Sequence, residues 1–315
     1  MSKYSKIYFI GVGGIGMSAI ARYYKFKGYP VAGYDRTPSD LTHALEKEGI
    51  DIHYKDDPDY IPKDVASTLV VYTPAIPADL QELVYVMEHG YTLVKRSRML
   101  GELAEGQTCL AVAGTHGKTT TSTLVAHILT ESGKGCSAFL GGISKNYDTN
   151  LLTSHTPTIV AEADEFDRSF LQLHPAIAAI TAMDADHLDI YGTLEEYRKA
   201  FKAFASQVSR TLIVKLGLDI TAEDTNARIL HYSYDNPDAD YHAANPRPDE
   251  VGHYIFDLVY PGGVIGNIRV GIPGWVNVEN SVAAAAVCLC HGVAPEAIKQ
   301  PIATYSLVRR RLDVH

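Results

Sequence analysis

Several things are scarce in this chain. Only four of its 315 residues are cysteine, and Cys109, Cys136, Cys288 and Cys290 include no CxxC pair. That spacing argues against a thiolate zinc site and a disulfide framework, and a reducing compartment is expected. No run approaches 18 consecutive apolar residues, which excludes a membrane-spanning helix. The opening MSKYSKIYFIG enters a strand-like run within five positions and carries no signal-peptide cleavage pattern, so a cytoplasmic location is expected. Basic residues are outnumbered, 28 Lys and Arg against 37 Asp and Glu, for a net charge of −9. This balance argues against a general nucleic-acid binder, though not against phosphates held locally. Internal repeats and low-complexity tracts are absent as well.

What is there is an ordinary globular composition, 46% hydrophobic and 21% charged, which excludes disorder as a whole-chain description. At about one domain per 100–200 residues, the length implies two domains. Strand and helix signals alternate through the first hundred residues: strands at 6–11, 29–34 and 68–73, a helix at 17–26, and a helix over 94–105 leading out of the unit. Further strands are expected at 109–113, 157–161, 177–181 and 211–215, with helices at 194–206 and 278–289. The polar, proline-containing stretch 236–250 reads as a loop or hairpin connection, and 256–270 as a hairpin around Gly262-Gly263. Strands separated by helices require crossover connections and a parallel sheet, so the fold class is α/β in two units with a boundary near 104–108.

Four motifs carry chemistry. Gly11-Val12-Gly13-Gly14-Ile15-Gly16 is a GxGxxG directly after a strand and opening a helix. Such glycines allow a tight turn and let backbone N–H groups approach a diphosphate at the positive helix end. Asp35, 24 residues after Gly11, ends the next strand, where an acid can accept from a ribose hydroxyl. A dinucleotide and a nucleotide sugar both present such a diphosphate, and glycines can also serve only to bring a helix close to a sheet. The second motif, Gly114-Thr115-His116-Gly117-Lys118-Thr119-Thr120, has the phosphate-loop arrangement, although Val112 stands where GxxxxGK[ST] requires its first glycine. Backbone N–H groups there cradle a phosphate, Lys118 neutralises charge and Thr119 can bind Mg²⁺. Third, the acidic run 161–167 holds Glu162, and His187 follows in a second cluster; both come after strands, hence at the sheet edge of the phosphate loop. Singly, an acidic run is a solvated loop and a histidine a structural one; together with the loop they can complete a magnesium site. Fourth, Asn277 and Asn280 open the alanine-rich helix, where asparagine can cap a helix or read an adenine edge. The triplet Arg309-Arg310-Arg311 can clamp phosphates or stay solvated.

In this order, GVGGIGMSAIA, GTHGKTTT, EADEFDRSFL and DADHLDIYG resemble the signatures of the Mur ligases of peptidoglycan synthesis, over essentially the whole chain. The resemblance implies a Rossmann-like domain over 1–104 that holds the UDP part of a nucleotide sugar and a central P-loop-type ATPase domain over 105–308. It also implies a linker beginning at 309–315 towards a C-terminal domain that this chain does not include. By the same resemblance Lys118, Glu162 and His187 are the catalytic set, and Thr119, Glu162 and His187 hold magnesium. ATP would be contacted by Gly114, Thr115, His116, Gly117, Lys118, Thr119, Thr120 and Asn280, and the uridine diphosphate by Gly11, Gly13, Gly14, Gly16, Asp35 and Thr73. The implied reaction is ATP-dependent addition of L-alanine to UDP-N-acetylmuramate, with ATP and Mg²⁺ as cofactors. No nucleic acid or membrane partner is implied, and a homodimer is compatible with the sequence. Two positions depart from the family. Val276 replaces a histidine, so one nucleotide contact is either lost or taken over by a neighbour such as Trp275. Phe166 replaces a common serine, as in the related ligase that recycles murein tripeptide. That ligase, and a nicotinamide-dependent oxidoreductase, are the alternatives.

Overall fold

A computed structural model describes residues 3–186 and 188–309. The chain divides into two compact units, Met1–Leu103 and Ala104–His315. In the first, β1 (Lys6–Ile10), α1 (Ile15–Phe26), β2 (Val31–Tyr34), α2 (Asp40–Lys47), β3 (Asp51–His53), β4 (Thr68–Tyr72), α3 (Gln81–Glu88), β5 (Thr92–Lys95) and α4 (Arg96–Ala104) follow one another. The strands form an all-parallel sheet in the order β3-β2-β1-β4-β5. The strand order switches sides between β1 and β4, and ligands of doubly wound sheets bind at the carboxyl ends of the strands at such a switch point. One core cluster gathers Tyr8, Ile10, Tyr34, Val70, Leu83 and Val86.

The second unit runs β6 (Thr108–Ala113), α5 (Lys118–Glu131), β7 (Ser137–Ser144), β8 (Thr149–Leu152), β9 (Thr158–Ala163), β10 (Ile177–Ile180), α6 (Leu188–Tyr191), α7 (Leu194–Ser206), β11 (Thr211–Lys215), β12 (Arg228–Ser233), β13 (Tyr241–Pro248), β14 (Tyr254–Tyr260), β15 (Gly263–Arg269), α8 (Val276–Cys290), α9 (Lys299–Thr304) and β16 (Val308–Arg309). Its sheet has the order β15-β14-β13-β12-β11-β10-β6-β9-β7-β16, with β8 paired to β7. Strands β7 to β13 are parallel along this path, and the margins β14, β15, β16 and β8 are antiparallel. Helix α8 is buried all round at Val282–Cys288 and packs on α5 and on strands β10 to β14. Its alanines let these layers approach closely. Cys109, Cys136 and Cys288 are buried in this core and Cys290 is half-buried, all four unpaired. Burial pushes the Cys109 and Cys136 thiols up to about 12 and raises those of Cys288 and Cys290 as well.

Two expectations need correction. Residues 92–95 are a strand, β5, and not the start of a helix, because Thr92, Leu93 and Val94 register against Leu69, Val70 and Val71; the helix begins only at Arg96. Residues 241–248 are a strand as well, despite Pro246 and Pro248. β12 pairs with β13 only at Tyr241 and His242, so both prolines lie where β13 has no ladder donor to lose on that side. A bulge between Ala244 and Arg247, with Asn245 at φ +53°, absorbs the irregularity. The strands β3, β7, β8, β12 and β16 and the helices α2, α3, α6 and α9 are additions to the sequence reading.

Candidate nucleotide and phosphate sites

In the first unit the glycine turn is lashed to the end of β2: Gly11 and Val12 N–H donate to Tyr34 O at 2.8 and 3.0 Å. Gly11 adopts φ +85°, and Gly14 stands at the N-cap of α1 without a side-chain cap, which leaves the helix amides to other acceptors. Asp35 already accepts within the turn: its Oδ2 accepts from Gly13 N–H at 2.7 Å and its Oδ1 from Thr37 N–H at 3.3 Å. A Cβ at Gly13 would come within 2.8 Å of that carboxylate, and one at Gly16 within 2.9 Å of Arg96 Nη1. The glycines therefore make room for an acid and for a guanidinium that the sequence reading did not single out. Thr73, just beyond β4, flanks Gly11.

In the second unit the phosphate loop joins β6 to α5 over residues 114–117. Gly114 (φ +135°) is backed against Thr181, whose Oγ1 donates to Ala113 O at 3.1 Å or His116 O at 2.5 Å. Thr115 Oγ1 bonds Asp184 O and shares a hydrogen bond with Tyr197 OH, both at 3.1 Å, and exposed His116 faces Asp184 at 3.7 Å. Gly117 caps α5 in the left-handed region, so the helix opens with its amides directed into the loop. Lys118 Nζ donates to Gly114 O at 2.7 Å and pairs with Glu165, whose oxygens lie 2.9 and 2.7 Å away and whose side chain is 1% exposed. Thr119 Oγ1 donates to Glu162 Oε1 at 3.0 Å, and Thr120 O accepts from Tyr305 OH. Asn280 comes to the same loop: its Oδ1 accepts from Thr121 at 3.4 Å, and a Cβ at Gly117 would lie 2.8 Å from it.

Glu162 is the electrostatic centre of this arrangement. Burial raises its pKa, and so do Asp164 and Glu165, while the Thr119 hydroxyl and the Lys118 charge pull it back. Its Oε2 is buried without a hydrogen-bond partner. A carboxylate oxygen so oriented beside a threonine hydroxyl is the hard-oxygen donor set that suits magnesium, so the residues present fit that ion. His187 and the pair Arg310-Arg311 lie outside the described residues. Among the described residues no group of three or more His, Cys, Asp or Glu side chains forms a metal cluster. Just after Glu165, Asp167 and Arg168 hold left-handed φ values of +52° and +55°, a local strain of the sort that accumulates at binding sites. Sequence reasoning missed Glu165, Thr181, Arg96 and Gly141. Only Glu165 left a signal, as a member of the acidic run; Gly141 is needed because a Cβ there would collide with the Glu162 carboxylate.

The family model described as Mur ligase middle domain matches residues 112–288, and the one described as Mur ligase family, catalytic domain matches residues 6–108. The chain belongs to the Mur ligase family. Among Mur ligases, the UDP-N-acetylmuramate–L-alanine ligase of Porphyromonas gingivalis strain W83 is 48% identical over 98% of this chain and 69% of its own length. The ligase of the same name from Phocaeicola vulgatus is 50% identical, over 98% of this chain and 68% of its own length. The crystal structure of the UDP-N-acetylmuramate–alanine ligase of Thermotoga maritima superposes with a TM-score of 0.85 at 27% identity, over 97% of this chain and 70% of that one. The UDP-N-acetylmuramate:L-alanyl-γ-D-glutamyl-meso-diaminopimelate ligase of Neisseria meningitides gives the same TM-score at 22% identity, over 98% of this chain and 100% of that one, a likeness of fold.

Proposed function

We propose that this protein joins L-alanine to the lactyl carboxylate of UDP-N-acetylmuramate at the expense of ATP, as a cytoplasmic step in peptidoglycan precursor synthesis. The observation that carries the reading is the pairing of Lys118 with Glu165 and of Thr119 with Glu162 beside the glycine loop, in a chain 48% identical, over 98% of its length, to a ligase of that name. Ligation of a tripeptide instead of L-alanine, the activity in the name of the Neisseria meningitides structure at 22% identity, is the weaker reading. An oxidoreductase leaves the phosphate loop and Glu162 without a role.

A carboxylate oxygen of the sugar attacks the γ-phosphorus of ATP, the β–γ bridging bond breaks, and ADP leaves. The resulting acyl phosphate is attacked by the α-amine of L-alanine, which expels phosphate and loses a proton. Two anions must meet in the first step, so their repulsion has to be neutralised before attack. Lys118 supplies a fixed positive charge, and the first amides of α5 orient the phosphates. Magnesium, held by Thr119 and Glu162 with His187 as the expected third ligand, would neutralise phosphate charge there. Residues 1–104 are assigned to the UDP-sugar, through the glycine turn and Arg96, and 105–308 to ATP.

Calorimetric titration of the chain with UDP-N-acetylmuramate, ATP and NADH tests this. Saturable binding of the first two and none of NADH is expected. Binding of NADH with no response to the nucleotide sugar would overturn the reading.

A further inference from the structure

A buried tyrosine is favoured over phenylalanine only where its hydroxyl finds a partner. Tyr191 ends α6, Tyr197 lies in α7, and both are buried. Their hydroxyls reach two different loops around Lys118. Tyr191 OH donates to Glu165 O at 2.5 Å, and Arg168 N–H donates to the same carbonyl at 3.0 Å. Tyr197 OH meets Thr115 Oγ1 at 3.1 Å; the Thr115 hydroxyl itself donates to Asp184 O at 3.1 Å, so Tyr197 is the donor of the pair. The two rings touch edge to face, with centroids 4.9 Å apart and planes at 83°. Glu165 in turn holds Lys118 through its carboxylate, at 2.9 and 2.7 Å. Two adjoining side chains thereby join Thr115 of the phosphate loop to the residue that partners the lysine of that loop.

We propose that Tyr191 and Tyr197 form a brace, two positioning residues that fix Thr115 and Glu165 relative to one another and so aim Lys118 at the phosphates of the nucleotide; this rests on the ATP reading given above. The footing of the brace is rigid. Tyr197 packs on Phe201 at 5.1 Å between centroids, Phe201 on Phe170 at 5.2 Å and Phe170 on Phe204 at 5.1 Å, and all three phenylalanines are buried. Thr193 caps α7, its hydroxyl accepting from Glu196 N–H at 3.2 Å. The segment that the brace holds is strained, with Asp167 and Arg168 at left-handed φ, and the Arg168 guanidinium lies 5.3 Å above the centre of the Tyr191 ring. Such backbone persists only where its surroundings impose it. Burial pushes the Tyr197 phenol up to about 12, so it stays a hydrogen-bond donor well above neutral pH. A loop fixed before its ligand arrives loses less freedom on binding, which is what the two hydroxyls contribute.

ADP and inorganic tripolyphosphate, each with magnesium, are titrated calorimetrically against the chain and its variants. Tyr197→Phe keeps the ring and removes only the hydroxyl. It should weaken both ligands by the same factor, about fivefold, because the brace acts on the phosphates and not on the base. Tyr191→Phe should do the same through Glu165. In a Thr115→Val background, Tyr197→Phe should cost no further affinity, a coupling that lost packing alone would not produce. Unaltered affinity in both phenylalanine variants overturns the brace while ATP binding itself stands, and so does a Tyr197→Phe loss that is undiminished in the Thr115→Val background. If the unaltered chain binds neither ADP nor tripolyphosphate, the nucleotide reading falls and the brace with it.

Discussion

Glu162 holds a carboxylate where the fold favours its neutral form. Because its pKa in the folded chain is raised, its contribution to stability is complete below the ordinary carboxylate value of 4.5 and is lost as pH rises through the raised one. At neutral pH it is thus a cost that the unliganded protein carries. Glu162→Gln should raise the melting temperature of the second unit at pH 8 by about 2–4 °C, for about 1 kcal/mol, and by less at pH 4. An equal gain at both pH values would show that ionisation is not the cause. The Lys118–Glu165 pair carries the opposite lesson. Lys118→Ala leaves the Glu165 carboxylate buried and uncompensated, which should cost about 3–5 kcal/mol in urea unfolding, and adding Glu165→Gln should restore most of it. Lys118 and Thr119 stood out because glycine, lysine and threonine follow one another in a local pattern, and Glu162 only as part of an acidic run that follows a strand. The partner of Lys118 did not, since 47 residues separate it from Glu165 and only the neighbouring strands β6 and β9 bring them together. Asp35 was legible as an acid at a strand end, yet its commitment to Gly13 N–H depends on a turn geometry that no spacing reveals.

At the scale of elements, β7 shows how a strand with no motif shapes the site. Gly141 is exposed on β7, and a Cβ there would lie 3.0 Å from Thr119 Oγ1 as well as against Glu162. Gly141→Ala should therefore weaken magnesium-dependent ADP binding about tenfold or more, at a stability cost of about 1–3 kcal/mol from overpacking. Calorimetry with and without magnesium checks this, and an unchanged affinity would place the metal elsewhere. Strands followed directly by glycine turns were read correctly from sequence, as were α7 (Leu194–Ser206) and β11 (Thr211–Lys215). β13 escaped because its prolines argue against a central strand, and only the early end of β12 pairing makes them harmless. β5 was absorbed into the helix that follows it without a turn signal.

For the whole molecule, the two units have separate cores, and each should answer to its own ligand. A ligand at 100 times its dissociation constant stabilises what it binds by about 2.7 kcal/mol. Scanning calorimetry should show UDP-N-acetylmuramate raising one transition and ADP with magnesium raising the other. If either ligand moved both equally, the units would be unfolding as one. The two-unit α/β plan was legible because strand–turn–helix units are local in sequence. The order of strands across the larger sheet, and its antiparallel margins, were not, since they depend on pairings between distant segments.

The four sheltered cysteines carry a practical meaning. With every thiol raised in pKa, the chain offers oxidants and alkylating reagents almost no thiolate near neutral pH. It can therefore be handled without added reductant, and a cysteine introduced at one surface position becomes a unique attachment point for a fluorophore or spin label.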